Sequence, residues 1–380
     1  MDTQSTINQF DHFIPVSTSR LIDKLAQSGL SAAQIEVIHK LKQVISFQFH
    51  QKLVAVKKHY QHLNPDQDLL IQQNLSAEAD TCINDLQKIL IAANYSELNQ
   101  QQIEYALQKT SPYGLEISID FSAFSEVSLF YRGKSSHTIQ IRDWKNFYLK
   151  KKNVNLIQYQ RLFLLLRYHE PSDKPGLHLK LFKDILRPDL EMLFPECKIR
   201  MKIFDKIKLA ITGGGGTAGG IIATIGKVSA AVNPWSISIA IAGFAMLVWR
   251  QISKVFIQKT RYMATLAQNL YFHNLDNNAG AITYLIDLAR QEEIKETILA
   301  YALLNLNTIN NQEALDSSCE AWFEQNFGIS IDFDISDAMH KLQQFDMLSD
   351  DTSHIQCRPP PEQIIDNLEK QWLAFIQLQK

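Results

Sequence analysis

Between Lys208 and Arg250 the chain carries a single charged residue, Lys227, and this stretch opens on a glycine run, ITGGGGTAGGIIATIGK (211–227). No other feature restricts the fold as much. Lys208 and Lys227 bracket 18 uncharged residues, and Lys227 and Arg250 bracket 22. A hydrocarbon core about 30 Å thick needs roughly 20 residues of helix, so each stretch has close to a spanning length. The expectation is a Gly-rich transmembrane hairpin over 206–252, with spans at about 209–226 and 232–249. Its interface anchors would be Lys208, Lys227, Trp235, Trp249 and Arg250. Lys198, Arg200, Lys202 and Lys206 before it, and Lys254, Lys259 and Arg261 after it, put both flanks on the positive side.

The first span is weak, with seven glycines and five large aliphatics. Small residues recur at four-residue steps, as Gly215, Gly219 and Ala223, and again as Gly216 and Gly220. Such a face lets a second helix approach closely, and Gly243 lies in the facing span. The same glycines formally match a dinucleotide fingerprint through Gly214, Gly216 and Gly219. That motif needs an acidic residue about twenty positions on for the ribose, and none occurs from Lys206 to Leu275. A Walker loop fails as well, because Val228 follows Gly226-Lys227 where Ser or Thr is required.

The flanking sequence reads as α+β. Ser31 to Gln34 has capping-box form, and Ile35, Ile38, Leu41, Ile45, Phe49 and Leu53 follow at helical spacing until Asn64-Pro65. The histidines of that run, His39, His50 and His59, have no tight ligand spacing. Segments 116–121, 126–132 and 162–170 are strand-like, 176–182 alternates apolar and polar residues, and DLEMLF after Arg187-Pro188 reads as a short helical turn. Two helical runs, 236–272 and 279–305, are joined by a polar turn at Asn274–Asn278. Leu315, Cys319, Trp322 and Phe323 then mark an amphipathic helix, and Asp334 and Asp337 cap another. Helix, helix and a two-strand wing would make a winged-helix-like unit.

The expected organisation is a helical N-terminal region (1–110), an α+β cytoplasmic domain (111–205), the hairpin (206–252), a helical pair (253–308) and an acidic interaction unit (309–380). A net charge of −2 argues against a whole-chain nucleic-acid binder. Between Glu313 and Asp351 ten acidic residues face one base, Lys341, so no DNA partner is expected. The segment RDWKNFYLKKK (142–152) mixes cations with aromatics and reads as a solvated loop. Cys82, Cys197, Cys319 and Cys357 are widely spaced and read as reduced thiols. Asp184, Asp189, Glu191 and Glu196 read as a solvated cluster, and His169 and His178 as strand-end and surface residues. No hydrolase elbow, zinc helix or EF-hand occurs, so no catalytic residue, cofactor or metal is nominated.

Together FYRGK (130–134), PGLHLKLFKDILRPDLEMLFPECKIRMKIFDKIKL (175–209), NPWSI (233–237), AYALL (300–304) and DFDISDAM (332–339) resemble the transmembrane protein 143 family, domain of unknown function 3754. The resemblance implies two membrane spans and lends no catalytic residue. The N-terminus lacks signal and transit character, which suggests a bacterial-type member. The functional expectation is a non-enzymatic scaffold or sensor, anchored in the inner membrane with both termini cytoplasmic. It would contact the lipid bilayer and a protein partner, and self-associate through the Gly-rich span. The alternatives are an oligomeric pore-forming or membrane-perturbing effector and, third, a soluble nucleotide-dependent enzyme.

Overall fold

The computed structural model describes residues 6–7, 13–67, 76–99, 103, 115–142, 151–169, 173–194, 197–201, 253, 264, 270–309, 311–333, 335–348 and 359–377. The described helices are α1 (Thr18–Ala26), α2 (Ala32–Tyr60), α3 (Ser76–Ala92), α4 (Asn278–Leu306), α5 (Gln312–Phe327), α6 (Ile335–Gln344) and α7 (Pro361–Gln377). The strands are β1 (Thr6–Ile7), β2 (Ser96–Glu97), β3 (Leu115–Ile119), β4 (Phe124–Arg142), β5 (Lys151–Tyr168), β6 (Leu177–Leu186), β7 (Cys197–Met201) and β8 (Asn274–Asn277). The main sheet runs β1-β4-β5-β6-β8, with β2 also on β4, and β3 pairs β7 separately. Every pairing is antiparallel.

Local signals explain the helix starts. Ser31 Oγ accepts from Gln34 N at 3.3 Å while Gln34 Oε1 accepts from Ser31 N at 2.8 Å, which completes the capping box that begins α2. Asn311 caps α5 by accepting from Ala314 N, and Gly328, at φ 66°, ends it in the left-handed conformation. Helix α4 is buried on all sides through Ile294 and Ile298–Leu304, the pattern of a core helix. It packs on α2, α3 and α6 and on β6, so N- and C-terminal helices share one hydrophobic core. A second core, on the opposite face of the sheet, gathers Phe124, Leu129, Tyr159, Leu162, Leu164, Phe182, Leu190 and Phe194.

The polar segment Asn274–Asn277, predicted as a turn, is strand β8 on β6. Asn278 follows it at φ 48° and joins three elements. Its Oδ1 accepts from Leu179 N at 3.0 Å and its Nδ2 donates to Asp66 Oδ2 at 2.7 Å. Tyr60 Oη donates to Leu177 O at 2.8 Å beside it. Gly176, at φ +92°, lies so near α2's end that a Cβ there would meet Leu63 O at 2.4 Å.

The expected fold class needs correction. The described residues form an α+β protein, and none of their helices is long and apolar enough to cross a membrane. Helices α2 and α4 have the length, at 29 residues each, but they carry charges. Lys40, Lys42 and Lys52 lie along α2, and Glu292, Glu293, Lys295 and Glu296 along α4. The two-helix transmembrane hairpin, the membrane character drawn from it and the two-span inner-membrane location are therefore withdrawn. Uncharged length was the basis for that expectation, and seven glycines make it a weak one, since glycine adds no apolar side chain. The hairpin residues 206–252, with Gly215, Gly216, Gly219, Gly220, Ala223, Gly243, Lys208, Lys227, Trp235, Trp249 and Arg250, lie outside the described residues. So do residues 354–357, where a wing strand was expected.

Candidate functional site

Four elements meet at a buried ionic ladder on α4. Glu292 is 1% exposed, Lys295 3% and Arg132 of β4 7%. Glu292 Oε1 accepts from Arg132 Nη2 at 2.7 Å and from Lys295 Nζ at 2.7 Å. The other oxygen, Oε2, accepts from Ile14 N at 3.0 Å, and Lys295 Nζ also donates to Ile14 O. One turn on, Glu296 Oε1 accepts from Asn94 Nδ2 at 2.9 Å. Glu293 pairs with Lys341 of α6. Arg132 also lies over the ring of Phe13, 4.3 Å from its centroid. Burial pushes the Lys295 ammonium below its ordinary pKa, against the pull of Glu292. These charges tie the N-terminal segment, β4, the end of α3 and α6 to α4, and that engagement is structural in kind.

Next to Arg132 the sheet changes phase along one row. Arg132 pairs with Arg161 and Lys134 with Tyr159, while Arg161 pairs with Lys183 and Tyr159 with Ile185, so Gly133, Gln160 and Asp184 each fall between two successive pairs. Gly133 and Asp184 both have positive φ, 75° and 54°. On β5, Phe163 and Leu165 face the helices while Leu162, Leu164 and Leu166 face the second core. Strict alternation would return Tyr159 to the helices, yet it packs in the second core, its ring 5.2 Å from Tyr131. On β6, Leu177, Leu179 and Leu181 face the helices, but Phe182 and Ile185, three apart, both face the second core. The side-chain pattern thus advances by one residue at this row, as it does at a bulge.

On the second-core face a cleft of about 260 Å³ opens between β6, the 3-10 segment Arg187–Leu193 and β8. Lys180, Phe182, Leu193, Leu270, Tyr271, Asn274 and Asn277 line it. Register sets Lys180 opposite Asn277. Burial, with help from Lys174, lowers the Lys180 pKa, and no carboxylate among the described residues lies within ion-pair distance of its ammonium. Asn274 Oδ1 is buried without a hydrogen-bond partner among the described residues. Tyr271 and Phe272 stand 78% and 62% exposed at the rim, their rings 5.6 Å apart. Beneath it, burial pushes Asp189 up to about 6, opposed by nearby His273. His273 Nδ1 in turn contacts Lys183 O at 2.8 Å.

Several residues therefore differ from their sequence reading. Asp189 is not solvated but half-buried beside the buried Leu190 and Leu193, and Asp184 has a positive φ within β6. His178 is half-buried, stacked edge-on against Tyr168 at 5.5 Å, and burial lowers its pKa. Cys82 and Cys319 are reduced and fully buried, and burial pushes Cys82 up to about 12. Thiols in that state are poor nucleophiles. Sequence reasoning missed Lys180, Asn274 and Asn277 because β6 and β8 lie about a hundred residues apart. The alternation of 176–182 did mark Lys180 as lying on the face opposite Leu179.

Residues 124–280 match the family described as "Protein of unknown function (DUF3754)". The match covers less than half of the chain and includes β4, β5, β6, β8, the phase-change row and the whole cleft. No solved structure matches the chain.

Proposed function

We propose that this protein is a non-enzymatic sensor built on a rigid α+β scaffold, and that its cleft recognises a small carboxylate carrying an apolar or aromatic group. The observation that carries this reading is Lys180, a half-buried ammonium without a counter-ion among the described residues, facing a cleft. A desolvated cation is costly unless an anion completes it. One ammonium with two carboxamides, from Asn274 and Asn277, suits a monocarboxylate better than a phosphate dianion. Phe182, Leu193, Leu270 and the Tyr271 ring supply the wall for an apolar body. Among the described lining residues there is neither a carboxylate nor an imidazole, which favours recognition over proton-transfer chemistry.

We also infer kinship with the transmembrane protein 143 family, on the residues at 130–134 and 175–209. Titration calorimetry of the full chain with benzoate, phenylacetate and inorganic phosphate tests the sensor reading. Binding of an aryl carboxylate that disappears in Lys180→Met, with an unchanged thermal transition, supports it. No heat with either carboxylate, or equal binding by the variant, overturns it.

A further inference from the structure

Helix α2 carries five lysines and three histidines against one acid, Glu36, so the field along it is positive. Helix α7 packs on it, and the ring of Trp372 lies 5.1 Å from that of Phe47 at an interplanar angle of 56°. Rings at that angle form a corner instead of a flat stack, and both residues are half-buried. A groove of about 420 Å³ opens at this corner.

The α2 positions that line the groove are 39, 42, 43, 46, 47 and 50, a spacing that sets them on one stripe of the helix. From His39 to His50 the stripe is about 16 Å long, at about 1.5 Å per residue. Its two ends differ. His39, Lys42 and Ser46 lie within two turns and offer an imidazole, an ammonium and a hydroxyl. His50 stands past the corner, its ring 6.4 Å from that of Phe47. No carboxylate lines this groove among the described residues. Lys40 is neutralised by Glu369 of α7 in a neighbouring hollow of about 180 Å³. Lys42, His39 and His50 have no ion-pair partner among the described residues. Nor does any Asp or Glu stand three or four residues from Lys42 on either side.

We propose that this groove binds a nucleoside monophosphate. The base stacks at the Trp372 corner, since an aromatic face suits any base. The phosphate takes hydrogen bonds from Lys42, His39 and Ser46, and the sugar spans the turn between them and the corner. Gln43 and His50 supply donors and acceptors for the base edge and the sugar. One aromatic corner holds one base, and one ammonium beside one imidazole matches a single phosphate. The groove shares no residue with the Lys180 cleft, so it is a second and independent site.

The test is titration calorimetry of the full chain, in low salt, with adenosine 5′-monophosphate. Adenosine, which lacks the phosphate, and ribose 5-phosphate, which lacks the base, should each bind at least about tenfold more weakly. Lys42→Gln and Trp372→Leu should each weaken the nucleotide by at least about tenfold. Lys42 is exposed, so its variant should keep the parent's thermal transition. Lys58→Gln, exposed on α2 outside the groove, and Lys180→Met should bind as the parent does. Binding that survives Lys42→Gln, or that falls equally in Lys58→Gln or Lys180→Met, overturns the site. Ribose 5-phosphate binding as tightly as the nucleotide removes the base from the assignment. A single strand of about ten nucleotides that binds at least about tenfold tighter replaces the mononucleotide with a strand.

Discussion

Asp189→Asn should make the protein more stable at neutral pH while leaving it unchanged in acid. Burial raises the Asp189 carboxyl from its ordinary 3.8 to about 6, and the positive influence of His273 only partly opposes this. The folded protein therefore holds this proton more tightly than the unfolded chain does. Below pH 3.8 both states are protonated and the group adds no penalty. Between about pH 4 and pH 6 the unfolded chain releases its proton first, so stability falls as pH rises, and above pH 6 the loss is complete. At about 1.4 kcal/mol per pH unit over that window, the loss amounts to about 3 kcal/mol. Asparagine has the shape of the protonated acid and does not ionise. Urea unfolding of both proteins from pH 4 to pH 8 measures the difference and cancels the titration of all other carboxylates. The variant's advantage should grow through pH 4–6 and then level off. An advantage that stays constant across that range would show that Asp189 is ordinary, whatever its absolute size.

Glu292→Gln leaves Arg132 and Lys295 buried against a neutral amide, so it should cost roughly 3–5 kcal/mol in urea unfolding. Arg132→Met should cost less, because Glu292 keeps Lys295 and the Ile14 amide. Gly133→Ala should cost about 1–2 kcal/mol for its positive φ, since the atom it meets at 2.7 Å is the movable end of Gln160. Gly176→Ala adds a 2.4 Å approach to the Leu63 carbonyl, which is backbone, and should cost at least about twice as much in the same assay. Cys82 and Cys319 are 0% exposed, so peptide-level thiol labelling should modify them only at the rate of global unfolding.

Much of the fold was legible where one local rule sufficed. The capping box and the 3–4 spacing placed α2, strand-like runs marked β3, β4 and β5, and alternation marked β6. The segment NLDN has no β-branched residue and reads as a turn, yet β6 recruits it as β8. Length was read worst in the hairpin: alternation found 126–132, while β4 runs to Arg142 through a segment whose basic and aromatic end suggested a loop. The cleft could not be read, because Lys180 and Asn277 become neighbours only through long-range pairing. Asp189 left a fainter trace, since DLEMLF places it one residue before the buried Leu190. The glycine run dominated the sequence reading because uncharged length is conspicuous, but length without large side chains is a poor measure of transfer free energy.

The ladder and the phase-change row answer one problem together. In a strand with strict alternation, a one-residue slip exposes the whole apolar set, and that penalty fixes register. At Gly133, Gln160 and Asp184 the alternation is interrupted, so the aliphatic pattern no longer discriminates sharply between neighbouring registers. Arg132 stands immediately before this row and reaches Glu292 from the helix-facing side of β4. A slip by one residue would turn Arg132 to the opposite face and set its guanidinium against the apolar second core, away from Glu292. Breaking a buried pair in that way costs several kcal/mol, even though the intact pair adds little over an apolar contact. The ionic ladder thus contributes register more than stability, at the place where the hydrophobic pattern is weakest. An apolar replacement of the Arg132–Glu292–Lys295 group should accordingly preserve stability while loosening the register of β4 on β5, visible as added exchange broadening of amide signals on both strands.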